Sequence, residues 1–281
     1  MQIAKALTIA GSDSSGGAGV QADLKTFAAQ GVYGCSVISA VTAQNTMGVF
    51  EVYPLPPGIV RRQLEAVLSD IHPDAIKIGM LANSSIIHSI ANTLRQFPQK
   101  LLVLDPVMTA KSGDLLLEKE AVHSLQEELF PLTDILTPNI PEAEFLIGNP
   151  IHDEGDMREA ARRILGMGVA SVVIKGGHAI HQPYFQGEGC VVVDLFYDGK
   201  EMLKIEGPRI DTPHTHGTGC TLSSAIAAGL AKGFTRLEAI QNAREYLTGA
   251  LRNAFPVGKG KSPPENTRVK TCRLRDRKYT A

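Results

Sequence analysis

Tryptophan is absent from this chain, and aromatic residues of all kinds make up only 5% of it. Aromatic platforms that stack single-stranded bases are therefore excluded as its main device. A charge of one sign is missing as well. Its 28 basic and 29 acidic side chains leave a formal net charge of -1, so no overall field draws it to nucleic acid or to an anionic membrane. No apolar run reaches the ~18 residues of a membrane-spanning helix. Met1-Gln2-Ile3-Ala4-Lys5 leads straight into a strand-like run without the plan of a secretory signal. Cysteine is scarce too: the four, at positions 35, 190, 220 and 272, are too far apart to form a Cys-x-x-Cys pair, which excludes a zinc knuckle and a dithiol redox motif. A chain of 281 residues buries a full core without disulfide staples. Reduced thiols and a cytoplasmic location are expected.

What is present is a regular alternation. Short apolar, β-rich runs at 6–10, 36–42, 75–78, 101–104, 135–137 and 171–174 are separated by helical patterns near 22–30, 58–70, 84–97, 119–130 and 156–167. This order predicts an α/β fold, a mostly parallel central sheet with helices on both faces. Asp198-Gly199 between the runs 191–196 and 201–205 signals a hairpin at an antiparallel edge. Two closing helices are expected near 220–232 and 236–255. No linker divides residues 1–257, which are read as one domain. Residues 258–281 carry many Lys and Arg and are expected to be a basic, flexible tail. Gly258-Lys259-Gly260-Lys261-Ser262 imitates the end of a P-loop, but Phe255 stands where that motif needs glycine and no strand precedes it.

The richest stretch is Thr215-His216-Gly217-Thr218-Gly219-Cys220-Thr221, which runs into a small apolar helix. The first turn of a helix has backbone N–H groups without intrahelical partners and a partial positive charge, so it suits an anion. Cys220 falls at that helix start, where a thiol's pKa tends to drop. An anion cradle beside a reactive side chain suggests phosphoryl transfer; a helix cap with a buried cysteine is the plainer reading. His214 and His216 form a weak His-x-His with no further metal ligands nearby.

Other polar residues fall at successive strand ends, where open α/β sheets bind ligands. Gly17-x-Gly19-x-x-Ala22 has the form of a dinucleotide fingerprint, but the second strand ends Val41-Thr42-Ala43-Gln44 and offers no carboxylate for a ribose. A loop shaping a small-molecule pocket fits better. The Gln44 amide could pair with an amino group and adjacent nitrogen of a heterocycle, or serve as an ordinary loop residue. Asp105 closes the fourth run, and the small, polar residues 110–114 after it could act as a lid. Asn139 and Glu142 share one face of a helix's first turn; they suit Mg²⁺ bound with phosphates, or a plain helix cap. Lys175, beside Gly176 and Gly177, could reach a phosphate as a point charge.

Taken together, Gly11-Ser12-Asp13-Ser14-Ser15-Gly16-Gly17-Ala18-Gly19, Ala43-Gln44-Asn45-Thr46, Lys77-Ile78-Gly79-Met80-Leu81, Asp105-Pro106-Val107-Met108, Thr137-Pro138-Asn139 and His214-Thr215-His216-Gly217-Thr218-Gly219-Cys220-Thr221 resemble the hydroxymethylpyrimidine/phosphomethylpyrimidine kinases of thiamine biosynthesis. These belong to the ribokinase-like superfamily, and the resemblance covers about residues 3–257. It implies a three-layer α/β/α fold and phosphorylation, with ATP and Mg²⁺, of 4-amino-5-hydroxymethyl-2-methylpyrimidine and then of its monophosphate. It implies substrate contacts from Gln44, Asp23, Gly11, Met80 and Val107. Gly217, Thr218 and Gly219 would receive the transferred phosphoryl group, with Cys220 as base and Lys175 at the phosphates. Asn139, Lys175, Gly177, Thr218 and Gly219 would bind ATP, and Asp105 and Glu142 would serve the metal. It further implies a homodimer; no nucleic-acid or membrane partner is expected from the charge balance. Pyridoxal kinases of the same superfamily are the alternative; Gln44 and Asn45 favour the pyrimidine.

Overall fold

A computed structural model of the chain describes residues 3–98, 101–108, 119–176 and 191–267. Among the described residues, nine strands form one sheet in the order β3-β2-β1-β4-β5-β6-β7-β8-β9. Six of them, β1 (Lys5–Asp13), β2 (Tyr33–Asn45), β4 (Ala75–Ile78), β5 (Leu101–Leu104), β6 (Ile135–Leu136) and β7 (Val172–Ile174), run parallel. The other three, β3 (Gly48–Pro54), β8 (Val191–Tyr197) and β9 (Met202–Pro208), are antiparallel to their neighbours and close the two edges. The hairpin expected around Asp198-Gly199 is that far edge.

Parallel strands covered on both faces need apolar residues at every position, and the alternation of their side chains sorts them into two layers. Leu7, Ile9, Ile76, Ile78, Leu102, Leu104, Leu136, Val172 and Ile174 pack with α2 (Pro57–Asp70), α3 (Ser84–Leu94), α4 (Lys119–Ser124), α5 (Ile140–Ile147) and α6 (Glu154–Leu165). Ala6, Ala75, Val103, Ile135 and Val173 pack with α1 (Gly19–Ala29), α7 (Thr218–Ala231) and α8 (Arg236–Arg252). The result is the three-layer α/β/α arrangement. Helix α7 is the most deeply set: every residue from Thr221 to Leu230 is buried. Its run of Ala, Gly and Ser allows close approach to sheet and neighbouring helices, and leaves no polar face for solvent.

Three elements differ from the sequence expectation. β3 was not expected. It pairs with β2 through the short turn after Asn45, which lacks an Asn-Gly or Asp-Gly signal. Its side chains are partly or largely exposed, so no apolar alternation marks it. The helix expected over 119–130 is α4 followed by a wide turn, Leu125–Leu129, and a tight one, Phe130–Leu132. Pro131 lacks the N–H that a continuing α-helix would use. Helix α5, of which the sequence marks only the start at Asn139, is stopped after eight residues by Gly148 in the left-handed region.

The stretch from residue 258 onward departs from a free basic arm as far as it is described. Ser262, Pro264 and Asn266 are buried. Tyr246 donates its hydroxyl to Asn266 O (2.9 Å), and Thr221 Oγ1 lies 3.2 Å from Asn266 Oδ1. Small residues and prolines let this segment lie flat against α7 and α8, so the expected boundary after 257 does not coincide with a loss of packing. Among the described residues, no helix is long and apolar enough to cross a membrane.

Candidate active site

The carboxyl ends of β1, β2, β4, β5, β6 and β7 open toward the start of α7 and enclose one cavity of about 210 Å³. That is well above the ~10–15 Å³ one water needs, so the space suits a ligand. Its walls include Gly11, Gln44, Met80 and Val107, and also Asp105, Asn139, Glu142, Lys175, Gly217, Thr218, Gly219 and Cys220. Residues that are far apart in sequence meet here because most of them sit at or just beyond the carboxyl end of a strand, where parallel strands leave a crevice.

The start of α7 forms one side of the cavity. Gly217 adopts φ 74°, and a Cβ there would stand 1.9 Å from the carbonyl oxygen of Gly17. Only glycine turns the chain at this point and lets the two glycine-rich loops touch. Gly217 and the first-turn residues Thr218, Gly219 and Cys220 line the cavity. Gly219 brings the backbone against the charged cluster: a Cβ there would lie 3.3 Å from Asp105 Oδ2 and 3.4 Å from Lys175 Nζ.

That cluster is tightly bonded. Lys175 Nζ donates to Asp105 Oδ1 at 2.7 Å and lies 4.0 Å from Glu142 Oε2. Burial pushes Asp105 up, but Lys175 and then Lys77 outweigh it and hold the carboxyl below its usual range. Burial would likewise lower Lys175, yet Asp105 and Glu142 raise it. Glu142 is lifted to about 7, mainly by burial, with the charge of Asp105 adding to the rise and Lys175 opposing it. Asn139 and Glu142 form a reciprocal cap: the Asn139 side chain accepts from the Glu142 N–H, and the Glu142 carboxylate accepts from the Asn139 N–H, both at 2.8 Å. The cap fixes both side chains at the cavity wall, so the plain helix-start reading and a place in the pocket hold together.

Two sequence expectations need correction. Asp23 does not line the cavity. It is fully buried beneath it, accepting from Thr8 Oγ1 (2.6 Å), Lys77 Nζ (2.8 Å) and Ser224 Oγ (2.6 Å). A buried ammonium needs a counter-ion, and Asp23 supplies it; Lys77 is the member of this pair that reaches the cavity wall. Cys220 reaches the wall as expected, but its thiol is not acidic. Burial pushes it up to about 11, and the nearby Lys77 charge offsets only part of this. The helix start that should favour a thiolate is outweighed by the loss of water around the sulfur. Gly177 and the proposed lid at 110–114 lie outside the described residues.

Several further residues line the cavity. Arg244 and Leu247 come from α8, and Asp194 from β8. Asp194 is a lone acid inside the apolar run Val191-Val192-Val193-Asp194-Leu195-Phe196, which is the mark that could have found it. It is buried, accepts from the Gly176 N–H at 2.9 Å and lies 3.6 Å from Arg244 Nε. His216 is a neighbour of Asp13, its Nε2 lying 2.8 Å from Asp13 Oδ2. Among the described residues no group of three or more His, Cys, Asp or Glu side chains forms a metal cage.

The profile of the phosphomethylpyrimidine kinase family matches residues 13–265. The chain belongs to that family. Its match runs past residue 257, in agreement with the packed segment that follows. The chain is 48% identical over 261 residues to the hydroxymethylpyrimidine/phosphomethylpyrimidine kinase of Haemophilus influenzae, covering 93% of this chain and 96% of that one. Among solved structures, the phosphomethylpyrimidine kinase of Clostridium difficile is 46% identical, with a TM-score of 0.76 over 89% of this chain and all of the other. A pyridoxal kinase of Bacillus subtilis, solved as its ADP complex, is 39% identical, with a TM-score of 0.85 over 96% of this chain and all of the other. This kinase is therefore a phosphotransferase with the ribokinase-like fold, and its family uses ATP.

Proposed function

We propose that the kinase transfers the terminal phosphoryl group of ATP to the hydroxymethyl group of 4-amino-5-hydroxymethyl-2-methylpyrimidine, and then phosphorylates the monophosphate. One observation carries this reading. A single cavity presents Gln44, a reader of a heterocycle's polar edge, together with a helix start and a lysine suited to phosphates. In this reading Gly11, Met80 and Val107 form the ring pocket with Gln44, while Asn139, Lys175, Thr218 and Gly219 hold the nucleotide. The proposed domain spans residues 1–257, and 258–267 close against it.

Phosphoryl transfer asks for alignment and charge neutralisation more than for covalent help. The substrate oxygen attacks the terminal phosphorus, the bond to the bridging oxygen of ADP breaks, and the hydroxyl proton passes to Cys220 Sγ as a thiolate, the thiol having first released its own proton to water. Backbone N–H groups of Gly217 to Cys220 collect negative charge on the moving group. Lys175 supplies a fixed positive charge beside them.

Mg²⁺ fits the donor set: Asp105 and Glu142 are two hard oxygen ligands flanking Lys175, and this ion is commonly held by one or two carboxylates together with phosphates and water. When bound it would neutralise phosphate charge. We further propose a homodimer, supported by exposed Val41, Phe50 and Tyr53 on the β2–β3 edge. A cytoplasmic location is proposed from the free thiols of Cys35 and Cys220.

The test is ADP release with the aminopyrimidine alcohol and, in parallel, with pyridoxal. Faster turnover of the pyrimidine at low substrate supports the proposal. Pyridoxal favoured over the pyrimidine would reverse it, the second reading being motivated by the close overlay on the Bacillus subtilis pyridoxal kinase.

A further inference from the structure

His216 stands at the junction of three segments. Its Nε2 is 2.8 Å from Asp13 Oδ2 and 3.3 Å from the side-chain amide nitrogen of Gln44. Its backbone N–H donates to Ser262 O at 3.1 Å. Asp13 is buried, which pushes its carboxyl up, but bonds from His216 and Ser15 outweigh this and hold it below the ordinary carboxylate range. Its Oδ2 also accepts the Gly17 and Ala18 N–H groups. A carboxylate only accepts, so the ring nitrogen facing it carries the hydrogen.

That assignment constrains Gln44. A ring N–H committed to Asp13 cannot accept from an amide NH₂ as well. A half-turn of the amide resolves the conflict and places its oxygen beside His216 and its NH₂ beside Thr42 Oγ1. Thr42 Oγ1 lies 3.0 Å from Ser12 O, a pure acceptor, and 3.1 Å from the other terminal atom of Gln44. The hydroxyl gives its one hydrogen to Ser12 and so has a lone pair for the amide. At both contacts a donor then faces an acceptor, the ring N–H being shared between Asp13 and, at the longer distance, the amide oxygen. The amide keeps one N–H and one oxygen lone pair, the pair of groups that matches a ring nitrogen next to a ring amino group.

We infer that His216 is the positioning residue that sets which way the Gln44 amide faces, and that residues 258–263 hold both partners in place for this. The second half rests on the same kind of contact. Lys261 N–H donates to Thr46 O (3.0 Å) and Gly260 N–H to Thr46 Oγ1 (3.1 Å), so the segment clasps the end of β2 just beyond Gln44. The approach is close: a Cβ on Gly260 would stand 2.0 Å from Thr46 O. Ser262, fully buried, bonds His216 from the same segment. This role rests on the proposed reading of the pyrimidine by Gln44.

A double-mutant cycle on the full chain tests it, with KM for the aminopyrimidine alcohol as the readout. His216→Leu is expected to raise that KM by about tenfold or more, the loss of one oriented polar contact, with KM for ATP moved less than about twofold. In a Gln44→Leu background the same change should add almost nothing. His216→Gln, which keeps a donor for Asp13, should restore most of the affinity. Gly260→Ala, which lies outside the cavity, should also raise KM for the pyrimidine without raising that for ATP; it covers the case in which His216→Leu does not fold. The inference is overturned by unchanged KM in either His216→Leu or Gly260→Ala, or by effects of His216→Leu and Gln44→Leu that multiply. Wild-type turnover of the pyrimidine in the same assay judges the proposed substrate separately: turnover with a multiplying cycle removes only the role of His216, and absent turnover removes the substrate and this role with it.

Discussion

The helix start around Cys220 favours its thiolate, while the burial around it favours the thiol, and burial wins by lifting it to about 11. The group is therefore a neutral thiol before substrates arrive, and in the proposed mechanism it must give up its own proton to water before it can accept the one on the substrate's hydroxyl. Cys220→Ala is expected to lower kcat by about 10²–10⁴, the usual contribution of a general base. Steady-state turnover checks this, and near-normal kcat would remove the base assignment. Not every site residue was equally legible. Gln44, Asp105 and Lys175 stand out because each is polar at the end of an apolar run. Asp23 does not declare its role, because a carboxylate on an amphipathic helix looks the same whether it meets ligand or a buried lysine. Arg244 is invisible for the same reason: nothing local marks one arginine of a surface helix as facing inward.

At the scale of elements, the turn into α7 depends on backbone geometry that only Gly217 supplies. Gly217→Ala meets both a left-handed φ and the Gly17 carbonyl. The first alone costs about 1–2 kcal/mol. Lower unfolding free energy in denaturant and at least a roughly tenfold loss of kcat are expected, since the N–H groups proposed to collect developing charge would be displaced. Wild-type stability and turnover together would show that the turn tolerates a side chain. The parallel strands and their helices were readable because apolar runs and periodicity are local signals. β3 was not, because its pairing with β2 leaves most of its side chains in water and its turn carries no glycine signal. The break of α4 into a wide and a tight turn is tied to Pro131, which the periodicity alone conceals.

For the molecule as a whole, Glu142 links the site to stability. A carboxyl raised in the folded chain keeps its proton where the unfolded chain has lost it. Its contribution to folding is therefore complete at low pH and falls as pH rises from 4.5 through about 7. The span corresponds to at most about 3 kcal/mol. Thermal melts at about pH 5 and about pH 8 should show a larger drop in Tm for the wild type than for Glu142→Gln, which cannot ionise. Parallel drops in the two proteins would show that Glu142 is not the group responsible. The fold class was legible because alternating strands and helices admit few arrangements. The role of residues 258–267 was not, because a lysine-rich, glycine-rich composition is shared by loose arms and by segments that lie flat on a surface. Their contact with His216 and Thr46 has a temporal side. When residues 1–257 have left the ribosome, every described strand and helix has been made, yet the ring pocket still lacks the clasp that steadies its glutamine. In the proposed reading, competence in this kinase then arrives after architecture, once residues 258–263 have docked on Thr46 and His216.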